Sequence, residues 1–172
     1  MEHSDPQTEA VLTWFSRIYL GGIPPIITDD SAFLSFVCVL TAIEALAGYR
    51  YSDVKEKGKR FKQFVSDYMP DPYQPYAGAL WDFRNGMVHA FTTSTFSLTH
   101  HHSECHLRVA NGSVVLNAED FYGALLWASQ KYFQQLRTTP QLQNLMSQRL
   151  QSPEGGSVMV GPLEFHPPIT RS

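Results

Sequence analysis

The sequence predicts a mainly α fold, a helical bundle carrying a small β-hairpin insertion, and three observations carry that expectation. Apolar residues recur every three or four positions through most of the chain, the spacing of one face of an α-helix. Glycine and proline clusters, Gly21-Gly22, Pro24-Pro25 and then Pro70, Pro72 and Pro75, punctuate those stretches. Only after the fourth of them does the pattern change, to Thr-, Ser- and Phe-rich and alternating runs that suit strands.

In order along the chain, Pro6 and Gln7-Thr8-Glu9 open a first helix, in which Val11, Leu12, Phe15, Ile18 and Tyr19 fall at helical spacing. The Gly-Gly and Pro-Pro pairs stop it. A second helix begins at Asp30 or Ser31, either of which can accept hydrogen bonds from the open N–H groups of a first turn. Phe33, Phe36, Val37, Leu40, Ile43 and Ala47 give it a broad apolar face, and Gly48 is its expected stop. Ser52 and Asp53 are the expected cap of a third helix running to about Tyr68. Its apolar residues are sparse (Val54, Phe61, Phe64, Val65), which predicts a surface helix with its lysines in water. A fourth helix follows the prolines, roughly Pro75 to Phe91, with Leu80, Phe83, Met87 and Phe91 on one stripe.

Thr93 to Thr99 and the alternating Cys105 to Ala110 read as strands, and Asn111-Gly112 invites a tight turn into Val114-Val115-Leu116. The expectation is a hairpin or three-stranded insertion over about 93–116. Asn117 then caps a fifth helix, with Glu119 and Asp120 near its positive end and Phe121, Leu125, Ala128, Tyr132 and Leu136 as core stripe. Pro140 starts a short sixth helix ending near Gln151. The predicted organisation is one domain over 1–152 and an irregular tail over 153–172.

Composition narrows the function. Apolar residues at 43% and aromatics at 13% belong to a folded globule of 172 residues. A net charge of −3 argues against a general polyanion binder, so a nucleic-acid surface has to be local. One locality qualifies: Lys55, Lys57, Lys59, Arg60 and Lys62 supply five of the thirteen basic residues. They are candidate RNA-backbone contacts, and a solvated helix face is the competing use. Two cysteines, Cys38 and Cys105, make no disulfide framework and favour a reducing compartment. The N-terminus lacks the basic start and apolar run of a secretion signal. The apolar stretch Ala32 to Ala47 is shorter than the roughly 20 residues of a bilayer span and contains Glu44. It reads as a core helix, and a cytoplasmic protein without membrane attachment is expected.

Chemistry concentrates in Arg84-Asn85-Gly86-Met87-Val88-His89. On a helix, Asn85 and His89 are neighbours one turn apart, and Arg84 reaches round from an adjacent position. Gly86 is poor for a helix interior, costing about 1 kcal/mol against alanine, which hints at a close approach to that backbone. Cleaving RNA by attack of the 2′-hydroxyl needs one proton removed, one delivered and phosphate charge stabilised. Imidazole titrates near neutrality and suits either proton transfer. Guanidinium binds phosphate oxygens bidentately and stays charged. Asn85 suits orientation of the ring or the sugar. No metal or cofactor is needed, and a symmetric dimer would supply the second histidine. Helix capping and surface solvation are the competing uses of the same residues. Glu44 falls on the apolar line Phe33, Val37, Leu40, Ala47, so its carboxylate needs a partner, for which Arg84 is the obvious candidate.

With these residues in place the chain resembles the HEPN superfamily (higher eukaryotes and prokaryotes nucleotide-binding), whose helical bundles carry an arginine, a polar residue and, a few positions on, a histidine. Arg84, Asn85 and His89 match that motif, and Glu44 in Thr41-Ala42-Ile43-Glu44-Ala45-Leu46 matches an acidic residue on an earlier long helix. The resemblance covers roughly Ser31 to Arg137. It implies a metal-independent endoribonuclease working as a homodimer, as in relatives that act as toxins or defence proteins. Other relatives are non-catalytic binding modules for RNA, nucleotide or protein. The strand-like insertion after His89 departs from the pattern.

Two further clusters stand out. His100, His101 and His102 with Cys105 and His106 offer zinc or copper ligands, yet match no structural zinc spacing, and neighbouring strand residues point to opposite faces. A solvated loop is expected instead. Tyr68, Tyr73 and Tyr76 can stack on bases or pack in turns and core, and packing is expected.

Overall fold

The computed structural model describes residues 6–152 apart from 91 and 94. The predicted tail over 153–172, and Phe91 of the fourth-helix stripe, lie outside the described residues. The helices are α1 (Pro6–Phe15), α2 (Ala32–Arg50), α3 (Lys57–Tyr68), α4 (Ala77–Ala90), α5 (Ala118–Thr138) and α6 (Pro140–Gln151). Three short strands, β1 (Phe96–Thr99), β2 (Val109–Ala110) and β3 (Ser113–Asn117), lie between α4 and α5. The fold is mainly α with a small β insertion.

Helix α2 is the bundle's centre, packed on α3, α4, α5 and α6. It is buried on more sides than its predicted face: Val39, Ala42 and Leu46 are covered as well as Phe36, Leu40 and Ile43. By length and composition alone this helix could cross a membrane, and its 19 residues exceed the apolar stretch marked out in the sequence. Here more than half of it is buried inside the protein. Gly48 does not stop it. The glycine lies buried where a Cβ would stand 3.5 Å from Arg149 Nε, and the helix runs on to Arg50. Ser31 stands at the cap position, but its hydroxyl donates to the Ile26 carbonyl rather than accepting from the first turn.

Each remaining helix shows a local reason for its limits. After Phe15 the chain widens into a π turn, Ser16–Leu20, closed by Gly21 N–H donating to Ser16 O at 2.8 Å. The extra residue per turn rotates Ile18 outwards, so this predicted core residue is 41% exposed. Helix α3 begins at Lys57, later than expected, because the Ser52 hydroxyl donates to the Leu145 carbonyl on α6 and does not cap a helix. The buried face of α3 is Arg60, Phe61, Phe64, Val65 and Tyr68. Helix α4 follows a 3-10 segment, Asp71–Tyr76, and buries Leu80, Phe83 and Met87 as predicted. All five residues of the α5 stripe are fully buried.

In the insertion β3 is central, parallel to β1 and antiparallel to β2. Asn111 (φ 52°) and Gly112 (φ 80°) make the predicted tight turn, with both central residues left-handed as a type I′ hairpin requires. The run Cys105 to Ala110 is a strand only at Val109–Ala110; Ser103–Cys105 coils into a 3-10 turn and Leu107 has φ 58°. An aromatic chain fixes the sheet to the bundle. Phe96 meets Phe83 at 5.3 Å between ring centres, and Phe36 stacks on Phe121 at 6.2 Å.

Asn117 takes the predicted place before α5, but its side chain accepts no hydrogen bond from the first turn of that helix. It is buried, its amide donates to Asp120 Oδ2 at 2.6 Å, and its Oδ1 accepts the His102 N–H at 3.0 Å. The residue therefore secures the loop as much as the helix.

Candidate functional site

Helices α2 and α4 bring Glu44 and Arg84 together. Arg84 Nε lies 2.6 Å from Glu44 Oε2, with both side chains about one-fifth exposed (18% and 22%). This is the contact expected from the position of Glu44 on the α2 apolar line. The Nε is buried and, despite its closeness, makes no aligned hydrogen bond, so the attraction is between charges more than along an N–H direction. Arg84 Nη1 donates to Asn85 Oδ1 at 3.3 Å, and the guanidinium carbon stands 5.7 Å from the centre of the Trp81 ring. Cation–π contact and ion pair together hold a partly covered cation in one orientation.

Trp81 itself depends on a residue the sequence reading passed over. Gly58, in the first turn of α3, lies against the indole so closely that a Cβ there would be 2.8 Å from Trp81 Nε1. A glycine between two lysines in a helix was the available signal, since it sacrifices helix propensity without a turn to justify it. Tyr19, expected only on the apolar stripe of the first helix, also borders this corner. Its phenol lies near enough to Thr41 and to the Glu44 carboxylate for both to affect its ionisation. Burial is the main cause that raises its pKa.

His89 sits one turn beyond Asn85 on the same face of α4. It is exposed and makes no hydrogen bond or ion pair among the described residues. The site thus gathers Glu44, Arg84 and Asn85 into contact and presents His89 beside them to solvent. Val88, at 46% exposure, adds an apolar contact point. The close approach foreseen at Gly86 comes from the protein's own chain. Thr92 N–H donates to Gly86 O at 3.2 Å, and a Cβ on Gly86 would meet Thr92 O at 2.9 Å. This bond reaches back six residues and folds the chain against the last turn of α4.

The predicted basic run divides. Lys55, Lys57, Lys59 and Lys62 are exposed, but Arg60 is 5% exposed and belongs to the buried face of α3, which corrects its assignment as a surface RNA contact. Lys55 and Arg60 instead border a cavity of about 530 Å³ shared with Gln148 and Arg149 of α6. Tyr68 and Tyr73 are buried, as packing residues should be.

The histidine cluster also divides. His106 accepts the Asn117 N–H at Nδ1 (3.0 Å), which leaves the proton on Nε2 to donate to Tyr73 Oη at 2.7 Å; Tyr73 in turn donates to the Asp120 carbonyl. Both ring nitrogens are used, so His106 is no metal ligand. Burial pushes its pKa down, with the Asp120 carboxylate opposing. His102 Nδ1 pairs with Glu104. His100 and His101, in contrast, turn towards each other, ring centres 4.5 Å apart, because His101 has φ 58° and leaves the extended geometry that would have put them on opposite faces. His100 Nε2 is 3.4 Å from Asp29 Oδ1, and His101 Nδ1 is 2.7 Å from Glu119 Oε1. Comparison with protein-family models, curated proteins and solved structures gave no match to this chain.

Proposed function

We propose that this protein is a metal-independent endoribonuclease of HEPN type that works as a homodimer in the cytoplasm, in a toxin or defence role. The observation that carries the reading is the Glu44–Arg84 pair at 2.6 Å with Asn85 against the guanidinium and exposed His89 on the same helix. In the reaction the 2′-oxygen bonds to phosphorus while the bond to the 5′-oxygen breaks, leaving a 2′,3′-cyclic phosphate and a 5′-hydroxyl. His89 takes the proton from the 2′-hydroxyl, and His89 of a second copy delivers one to the leaving oxygen. Arg84 stabilises the phosphate charge. Glu44 positions Arg84, and Asn85 orients substrate or ring. Exposed Lys55, Lys57, Lys59 and Lys62 attract the RNA backbone.

A second reading has one observation in its favour. Arg84 already spends its Nε on Glu44, its Nη1 on Asn85 and its face on Trp81. An arginine so occupied suits a non-catalytic module that binds RNA, nucleotide or protein. Cleavage of labelled RNA in the presence of a chelator, comparing wild type with His89→Ala, separates the two. Loss of cleavage in the variant supports the nuclease. RNA retained without turnover, and released by Arg84→Ala but not by His89→Ala, supports the binding module.

A further inference from the structure

We propose that Asp29, His100 and His101 form a zinc site, with Glu119 as the outer carboxylate that orients His101. One ligand atom from each of the three residues lies within 4.8 Å of the others. Donors on a tetrahedral zinc with bonds of about 2.0–2.1 Å stand roughly 3.3 to 3.4 Å apart. The Asp29 Oδ1 to His100 Nε2 separation of 3.4 Å is already that edge. The Asp29 and His101 side chains are exposed, so small rotations bring the third ligand in without moving backbone.

The loop is shaped for this convergence. A histidine at φ 58° is an uncommon backbone state, and such states persist where surroundings hold them. Here the Glu119 carboxylate holds it twice, accepting the His101 N–H at 3.1 Å on each oxygen and contacting the ring at Nδ1. A carboxylate on one ring nitrogen leaves the other for the metal and fixes the ring's orientation, the usual outer arrangement around zinc-bound histidine. His100 has no such brace: its Nδ1 is buried without a hydrogen-bond partner among the described residues. Imidazole and carboxylate together suit zinc over magnesium or calcium. Three protein ligands leave a fourth position for water.

The ion ties together three stretches distant in sequence: the loop before α2 (Asp29), the end of β1 (His100, His101) and, through Glu119, the first turn of α5. It clasps the β insertion to the bundle. None of Arg84, Asn85, His89 or Glu44 takes part, so the site stands or falls independently of the nuclease reading.

The test is calorimetric titration of zinc chloride into the full chain, tag-free and stripped with chelator, with thermal unfolding followed in parallel. One zinc per chain is expected, with Tm rising by roughly 5 to 10 °C when free zinc is about 100-fold above Kd. His100→Ala and His101→Ala abolish binding, and Glu119→Gln weakens it about 10- to 100-fold. Asp29→Asn, on an exposed side chain, also weakens it and guards against misfolding in the histidine variants. His102→Ala and Cys105→Ser leave it unchanged, and magnesium chloride gives no heat. No zinc uptake by the wild type, or uptake that survives Asp29→Asn and both histidine variants, overturns the proposal, as does uptake lost in Cys105→Ser.

Discussion

The corner formed by Glu44, Arg84 and Asn85 and the loop cluster of Asp29, His100 and His101 both pair a carboxylate with a nitrogen base, but they are held in different ways. The first stands on two long helices whose buried faces leave each side chain one direction to point. The second stands on a turn, a strand end and a left-handed histidine, and its side chains are mostly exposed. Helix-borne geometry is therefore predicted to be costly to break and locally self-sufficient. Turn-borne geometry is predicted to be cheap to break and dependent on what binds it.

The largest effect lies at the helix-borne corner, on activity. On the nuclease reading proposed above, His89→Ala is expected to lower RNA cleavage by about 10²- to 10⁴-fold, the share of a proton-transfer group. The urea midpoint stays nearly unchanged, since an exposed side chain with no partner among the described residues contributes little stability. A midpoint shift comparable to that of a core variant would place His89 in the packing, contrary to its exposure.

Next comes stability, and here the two regions are contrasted directly. Glu44→Ala strands a partly buried guanidinium and costs about 2 kcal/mol, between the values for exposed and fully buried pairs. Asp29→Asn in metal-free protein changes stability by less than about 0.5 kcal/mol. Equal losses from the two substitutions in chemical unfolding would erase the distinction. Gly86→Ala comes third: the new Cβ would stand 2.9 Å from the Thr92 carbonyl oxygen. Overpacking outweighs the gain in helix propensity, for a net loss of about 1 kcal/mol. A more stable variant would show that the Thr92 turn yields freely.

The smallest effect is that of pH on the loop. His106 is half-buried, and that burial disfavours the charged ring, so its pKa in the folded protein lies below the ordinary value of about 6.5. Between those two values the unfolded chain binds more protons than the folded one. Stability is therefore complete above about pH 6.5 and declines as pH falls through that window to the depressed folded value. Unfolding midpoints at pH 7.5 and 5.5 in wild type and His106→Asn test this, and the variant should lose part of the decline. An identical pH dependence in both would assign it to other groups.

How much was legible in the sequence follows the same division. The α5 stripe, the Leu80–Phe83–Met87 face and the Glu44–Arg84 pair could be read because helical periodicity converts spacing into direction. Arg60 was legible in principle. It shares the line of Phe64 and Tyr68 at steps of four, but the surrounding lysines obscured it. Ser52 was misread as a cap because its hydroxyl is claimed by Leu145, 93 residues away. The meeting of His100 with His101 was hidden for a backbone reason: a single positive φ reverses the alternation on which the strand argument rested. The contact with Asp29 joins segments that no local pattern links.

The π turn at Ser16–Leu20 has a consequence for heredity. Removing any one residue there would restore ordinary helical winding and swing every later side chain of the segment about 100° round the axis. Tyr19 would leave Thr41 and Glu44, and Ile18 would turn inward. Genuine descendants of this architecture should therefore tolerate substitutions in the segment more readily than a change in its length, and a one-codon deletion there should disturb the Glu44 corner without touching it.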